Sequence, residues 1–287
     1  MKNMIMYYYN LKNIVSYKQN NKFFFRDDNN VFILELIDNK DKVIDIYKVT
    51  NNNDKYYKIL TNIYNSIFTN IYGRDYILIQ KKINSFDLSN EILNFDILVG
   101  YDMELSNKPD WPKLWEFKID YYEYQMEHMI GKYPLIEESF NYFIGMAETA
   151  ISYFRYNIKS YNGPIVISHK RIDVDNFFNP LYVVFDYKAR DVSEYLKYLF
   201  WNDLLDGFNI YLFLKKLNFS KSDFIMLFSR MLFPSFYFDV YDAIINDNQS
   251  QNSLINIIKN TYKYKKFLSD VHSNINKIVE IPEVDWI

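Results

Sequence analysis

The sequence predicts an α+β protein with two lobes, a small antiparallel β lobe followed by a larger, mostly helical one. Three observations predict it. Short apolar runs separated by turn clusters occupy residues 22–49. From residue 113 onward the apolar positions recur at helical spacing almost to the C-terminus. Between them in character, residues 163–197 read as strand, polar loop, strand and helix.

Residues 1–18 fit a strand or a helix equally well. Lys22–Arg26 then reads as a short aromatic strand, and Asp27-Asp28-Asn29-Asn30 as a turn. Val31–Ile37 is a second strand, Asp38-Asn39-Lys40-Asp41 another turn and Val43–Val49 a third strand. Together these make an antiparallel meander. In residues 54–70, Tyr56, Ile59, Leu60, Ile63 and Ile67 sit at helical spacing, with Gly73 as the stop signal. Tyr76–Ile83 returns to strand character. Residues 84–110 are a polar connection with a short helix at 90–98, and the lobe boundary is expected near 84–90. The expected domains are residues 1–88, β-rich, and 89–287, helical.

In the second lobe, Trp115, Ile119, Tyr122, Met126 and Met129 form one helical stripe. Phe140, Phe143, Ile144, Ala147, Ala150, Ile151 and Phe154 form another. Gly131 and Pro134 separate them. Ile165-Val166-Ile167 and Leu181–Phe185 are the two strands of the 163–197 segment, the second delivering Asp186. Asp191 opens a helix, with Glu194 at capping-box spacing. Further helices are expected at about 191–204, 206–217, 220–231, 236–246 and 253–280. The tail either packs Trp286 onto the lobe or leaves it free.

Composition excludes several functions. Basic and acidic side chains nearly balance, 33 against 36, which argues against a nucleic-acid binder. Cysteine is absent, so disulfides, thiolate catalysis and Cys-ligated metal centres are excluded. The 28 Tyr and 24 Phe, with abundant Asn, Ile and Lys, share AT-rich codons and point to a low-GC bacterial genome. The six glycines are dispersed, so a Walker loop, a dinucleotide fingerprint and a kinase glycine-rich turn are all missing. His128, His169 and His272 have no zinc-binding spacing. No secretory signal is recognisable, and the most apolar window, 223–241, contains Arg230, Pro234 and Asp239. A cytoplasmic protein without membrane or nucleic-acid partners is expected; a protein partner is left open.

Residues 163–197 resemble the aminoglycoside/choline-kinase-like phosphotransferase superfamily, especially its bacterial spore-coat kinase-like branch. That family pattern is His-Gly-Asp, four variable residues, Asn and a strand ending in Asp. His169 takes the His position, Asn176 lies seven residues later, and Asp186 matches the strand-end acid. Upstream, the aromatic helix pair with GMAETAISY is similar to what precedes the loop in that branch. The resemblance covers about residues 22–245 and implies a two-lobed protein-kinase-like fold. It also implies ATP and Mg2+ as ligands, with Asn176 and Asp186 on the metal. Lys48 in the third strand is the candidate nucleotide anchor, although only Asp54 in the next predicted helix is acidic.

The departures bear on activity. Lys170 replaces the Gly, and Arg171 stands where the catalytic Asp belongs. A guanidinium cannot take a proton from an acceptor hydroxyl at neutral pH. Asp173, two residues on, is the available substitute base, and His169 is a candidate catalytic or loop-holding residue. Asn176 reads as a metal ligand or as a loop Asn satisfying its own backbone. Asp186 reads as a metal ligand or as the partner of Arg171 or Arg190 in a buried ion pair. The leading expectation is a degenerate pseudokinase that retains ATP and Mg2+ binding. The alternatives are an active small-molecule kinase with a rearranged loop and a non-enzymatic coat or scaffold protein.

Overall fold

A computed structural model describes residues 1–19, 22–82, 86–94, 108–247 and 249–287. The chain separates into two compact units. One comprises Met1–Leu88 with His169–Val184, the other Ser89–Ser168 with Phe185–Ile287.

The first unit is built on an antiparallel sheet. Its strands are β1 (Val15–Gln19), β2 (Lys22–Arg26), β3 (Val31–Leu36), β4 (Lys58–Leu60), β5 (Thr69–Ile71) and β6 (Arg74–Lys81). The order is β1-β2-β3-β6-β4, with β5 also paired to β6. Helix α1 (Lys2–Tyr9) resolves the ambiguity of the N-terminal stretch. It sets Ile5 against Phe25, Phe32, Leu34 and Leu78 on one face of the sheet. Alternation puts Lys22, Phe24, Ile33 and Glu35 on the opposite face.

Two expected elements of this unit change type. Residues 43–49 are not a strand but the body of helix α2 (Lys40–Thr50). The Asn39 side chain caps it by accepting from the Lys42 amide at 3.0 Å. Val43, Ile46, Val49 and Thr50 then fall on one buried face. The β-branched composition favoured a strand; the cap and the three-residue spacing win. Lys48, expected on a strand, lies on the outer face of this helix, 62% exposed, with Asp45 at 3.3 Å.

Residues 54–70 are not a helix. They give β4, a polar loop and β5. The buried Asn62 donates to the Phe68 carbonyl and Thr69 hydroxyl at 2.9 and 3.0 Å. It also accepts from the Tyr64 and Ser66 amides at 2.9 and 3.2 Å. Such local bonds compete directly with helical ones. Gly73 is a hairpin residue, not a helix stop. With φ of 52° at Tyr72 and 79° at Gly73, it makes the two-residue turn joining β5 to β6.

The second unit contains α3 (Leu88–Leu93), which continues from the first unit, α4 (Trp111–Glu127) and α5 (Pro134–Asn157). After β7 (Ile165–His169) and β8 (Val183–Tyr187) come α6 (Ala189–Trp201) and α7 (Ile210–Lys216). The last helices are α8 (Lys221–Leu232), α9 (Ser235–Asp247) and α10 (Leu254–Asn276). The short helix predicted at 90–98 is α3, and residues 95–107 lie outside those described. The second predicted stripe is core throughout; of the first, Trp115, Ile119 and Tyr122 are buried, while Met126 and Met129 are half-buried. Tyr122 stacks on Phe238 at 4.6 Å, and Phe143 on Tyr237 at 4.0 Å. Pro234 separates α8 from α9. There the buried Lys197 donates to the Phe233 carbonyl at 2.9 Å and the Ser235 hydroxyl at 3.0 Å. No helix among the described residues is long and apolar enough to cross a membrane.

The reassignment of α2 is testable by urea denaturation. Ile46→Ala should remove about 2–5 kcal/mol, as for other buried Ile truncations. Lys48→Ala should change stability by no more than about 0.5 kcal/mol. A strand would put both residues on one face and give no such contrast.

Candidate functional site

The 169–184 loop is shaped by aromatic packing and short polar caps. His169 ends β7 and is almost fully buried; its ring stacks on Phe177 at 4.0 Å. Phe177 also stacks on Phe86 at 5.7 Å, and Phe178 meets Tyr56 edge-on at 6.1 Å. The backbone is pinned as well. The Tyr57 amide donates to the Phe178 carbonyl at 2.9 Å, and the Tyr57 hydroxyl to the Asp175 carbonyl at 3.1 Å. Burial, with the nearby Asp175 and Asp173 charges, pushes the Tyr57 phenol up to about 12.

Asp173 organises the tip of this loop. One carboxylate oxygen accepts from the Asp175 amide at 3.0 Å and the other from the Asn176 side-chain amide at 2.7 Å. The two residues singled out as base and metal ligand are therefore hydrogen-bonded to each other across one 3₁₀ turn, 174–176. Arg171 donates to the Lys170 carbonyl at 2.7 Å.

Asp173, Asp175 and Asn176 line a cavity of about 680 Å³ in the first unit, beside the open face of β1–β3. Its cationic residues are Lys22 and Lys81; Lys48 is not among its walls. Lys22 meets Glu35 at 2.5 Å and lies over the Tyr182 ring at 5.5 Å. Burial works to lower the Lys22 pKa, but Glu35 and Tyr182 outweigh it and raise it, so the ammonium stays charged. Sequence reading missed Lys22 and Glu35. The signal was there in the alternation of β2 and β3, whose register sets Phe23 opposite Leu34 and so brings these neighbours together.

Asp186 belongs to the second unit and is 1% exposed. It lies inside β8, because the strand is shifted two residues along the chain, starting after a turn over 180–182 capped by Asn179 and running to Tyr187. One carboxylate oxygen accepts from the Trp111 indole N–H at 2.8 Å and the Tyr187 amide at 2.7 Å. The other accepts from Arg190 at 2.9 Å, and Arg230 stands 3.7 Å away. Both guanidinium groups also lie over the Trp111 ring, at 5.3 and 4.2 Å. Of the two ion-pair partners considered from sequence, it is Arg190 that meets Asp186.

The following helix starts at Ala189, so Asp191 does not cap it. Asp191 and Glu194 are instead buried within its first turns, with Glu194 at 3.9 Å from Lys197.

A magnesium ion prefers near-octahedral oxygen ligation and keeps several waters. The Asp186 carboxylate instead has four protein donors or cations around it, two of them positively charged. That surrounding fits the ion poorly. Among the described residues, no three His, Asp or Glu side chains are grouped as a metal site requires.

Comparison with known proteins places these features. A family model described as "Spore coat putative kinase YutH" matches residues 2–271. The endospore coat-associated protein YutH of Bacillus subtilis (strain 168) is 26% identical over 211 residues. That match spans 62% of this chain and 61% of the relative's length. Among solved structures, an aminoglycoside phosphotransferase from Alicyclobacillus acidocaldarius superposes with a TM-score of 0.61 at 11% identity, covering 94% of each chain. A spectinomycin phosphotransferase in complex with ADP and spectinomycin gives 0.57 at 10% identity, covering 93% of this chain and 92% of its own. The fold is thus the kinase-like phosphotransferase fold expected from residues 163–197.

The charge cluster makes a prediction that does not involve a ligand. Asp186→Ala leaves two buried guanidinium groups without their carboxylate. It should cost about 3–5 kcal/mol in chelator-treated, metal-free buffer. A resident metal ligand would behave oppositely, with stability unchanged until magnesium is added.

Proposed function

This chain belongs to the spore-coat YutH family, and we propose that it is a catalytically degenerate member that serves the coat by binding rather than by phosphoryl transfer. The carrying observation is the Asp186 carboxylate, engaged by Trp111, Arg190 and Arg230. The residue resembling the family's metal-binding acid is thereby a structural anion. Arg171 in place of the catalytic Asp supports the same reading, since it supplies no base.

In this reading nucleotide binding is retained without turnover. The first unit's cavity has nucleotide dimensions, and its Lys22 and Lys81 supply cations for phosphate oxygens. Asn176 and Asp173 would contribute polar contacts at its wall, His169 would hold the loop, and Lys48 would remain a surface residue. The spectinomycin phosphotransferase, a solved neighbour of the fold, is complexed with ADP in one structure and with AMP in another. The relative's name places that protein at the endospore coat, and the same location is proposed here in place of a cytoplasmic one.

A second reading keeps catalysis, with Asp173 as base. Its position on the cavity wall favours it, while its two hydrogen bonds within the loop oppose it.

Two measurements separate these readings. ADP release should stay at background across a broad panel of hydroxylated acceptors; acceptor-dependent release abolished by Asp173→Ala would establish the second reading instead. ATP should raise the thermal midpoint by a few degrees, since a hundredfold excess over Kd stabilises by about 2.7 kcal/mol. Lys22→Ala should remove that shift. If saturating ATP gives no shift, the nucleotide role is lost and coat binding alone remains.

A further inference from the structure

Helix α4 carries two apolar faces, and only one is used within the chain. Trp115, Ile119 and Tyr122 are buried. On the opposite side Leu114, Phe117, Tyr121 and Tyr124 are 47%, 62%, 53% and 62% exposed. These four recur at intervals of three, four and three residues, the spacing of a coiled-coil seam. Tyrosine suits such a position, because its ring contributes contact area while its hydroxyl stays in water at the rim.

The charges beside the stripe identify what covers it. The first half of α4 carries Lys113 and Lys118; its one acid, Glu116, is paired with Arg155, and Lys118 lies 4.0 Å from Asp242 within the chain, which leaves Lys113 as the cation beside the stripe. The second half carries Asp120, Glu123 and Glu127 and no Lys or Arg. A parallel copy would set like charges side by side. An antiparallel copy sets Lys113 of each helix against the acidic end of the other and opposes the two helix dipoles, with Asp120 near its own counterpart at the axis.

We propose that α4 is a self-association helix, on which a second copy of this chain docks its own α4 antiparallel about a twofold axis. Leu114 then lies across from Tyr124 of the second copy, and Phe117 from Tyr121. The same register sets Lys113 beside Glu127. Each contact occurs twice, as an isologous interface requires. The inference is independent of whether the protein binds nucleotide.

Sedimentation velocity from low micromolar to about 100 µM protein tests it. The wild-type chain should pass from monomer to dimer. Phe117→Glu should raise the dissociation constant at least about tenfold. Because Phe117 is exposed, the thermal midpoint of the dilute monomer should not move. Lys113→Glu and Glu127→Lys should each weaken the dimer, and the double variant should restore it. The chain has no cysteine, so introduced thiols report the direction. Leu114→Cys should cross-link to Tyr124→Cys in a mixture, and neither variant to itself. A monomer throughout the range, a dimer indifferent to Phe117→Glu, or self-cross-linking of Leu114→Cys would overturn the proposal. So would capture of this face by a different protein with no dimer formed.

Discussion

The carboxylate of Asp186 is almost wholly removed from water, and its charge is met by Arg190 and Arg230 with the Trp111 indole donating to the same group. A buried carboxylate in isolation is very costly, so these partners must all be in place once the unit is folded. They come from four elements. Asp186 is on β8, Trp111 is the first residue of α4, Arg190 is on α6 and Arg230 is on α8. The requirement therefore fixes where α4 starts, how α6 follows the strand, and which face α8 presents. Two cations around one anion leave positive charge over, and the Trp111 ring beneath both guanidinium groups helps to accommodate it.

The same arrangement separates fold from chemistry. The chain superposes on phosphotransferases over nearly its full length, at about one identical residue in ten. Similar backbones with such different side chains carry function only through specific sites. Here Asp186, inside β8, faces protein cations, and the loop before it is held by His169, Phe177 and Phe178 as a packed aromatic unit. Asp173 and Asn176 close a turn upon each other beside a cavity whose opposite wall holds the Lys22–Glu35 pair.

Packing in the second unit also explains how so many aromatic side chains are accommodated. Tyr122, Tyr237, Tyr241 and Tyr264 are fully buried. A buried phenol usually bonds its hydroxyl, although the Tyr241 hydroxyl has no hydrogen-bond partner among the described residues. Tyr122 donates to Asp242 at 2.7 Å, and Tyr264 to the Met231 carbonyl at 2.8 Å. Burial pushes both phenols well up from their ordinary range, which keeps them neutral donors.

The sequence by itself determined the helical unit and the strand–loop–strand segment. Runs such as Phe140, Phe143, Ile144 and Ala147 leave one consistent solution, because a long apolar stripe has only one way to be buried. It also gave the resemblance on which Arg171 falls at the position of a catalytic Asp, since residue identity requires no coordinates. Short elements were another matter. Residues 43–49 have strand composition and helix spacing, and the Asn39 cap with the buried Val43, Ile46 and Val49 face decided for the helix. Residues 54–70 have helix spacing, but the four hydrogen bonds of Asn62 decided against it. The roles of Asp186, Lys22 and Lys48 lay wholly outside the sequence. Each depends on which residues from distant positions share its surroundings, and only tertiary packing brings Trp111 and Arg230 to Asp186, or Glu35 to Lys22.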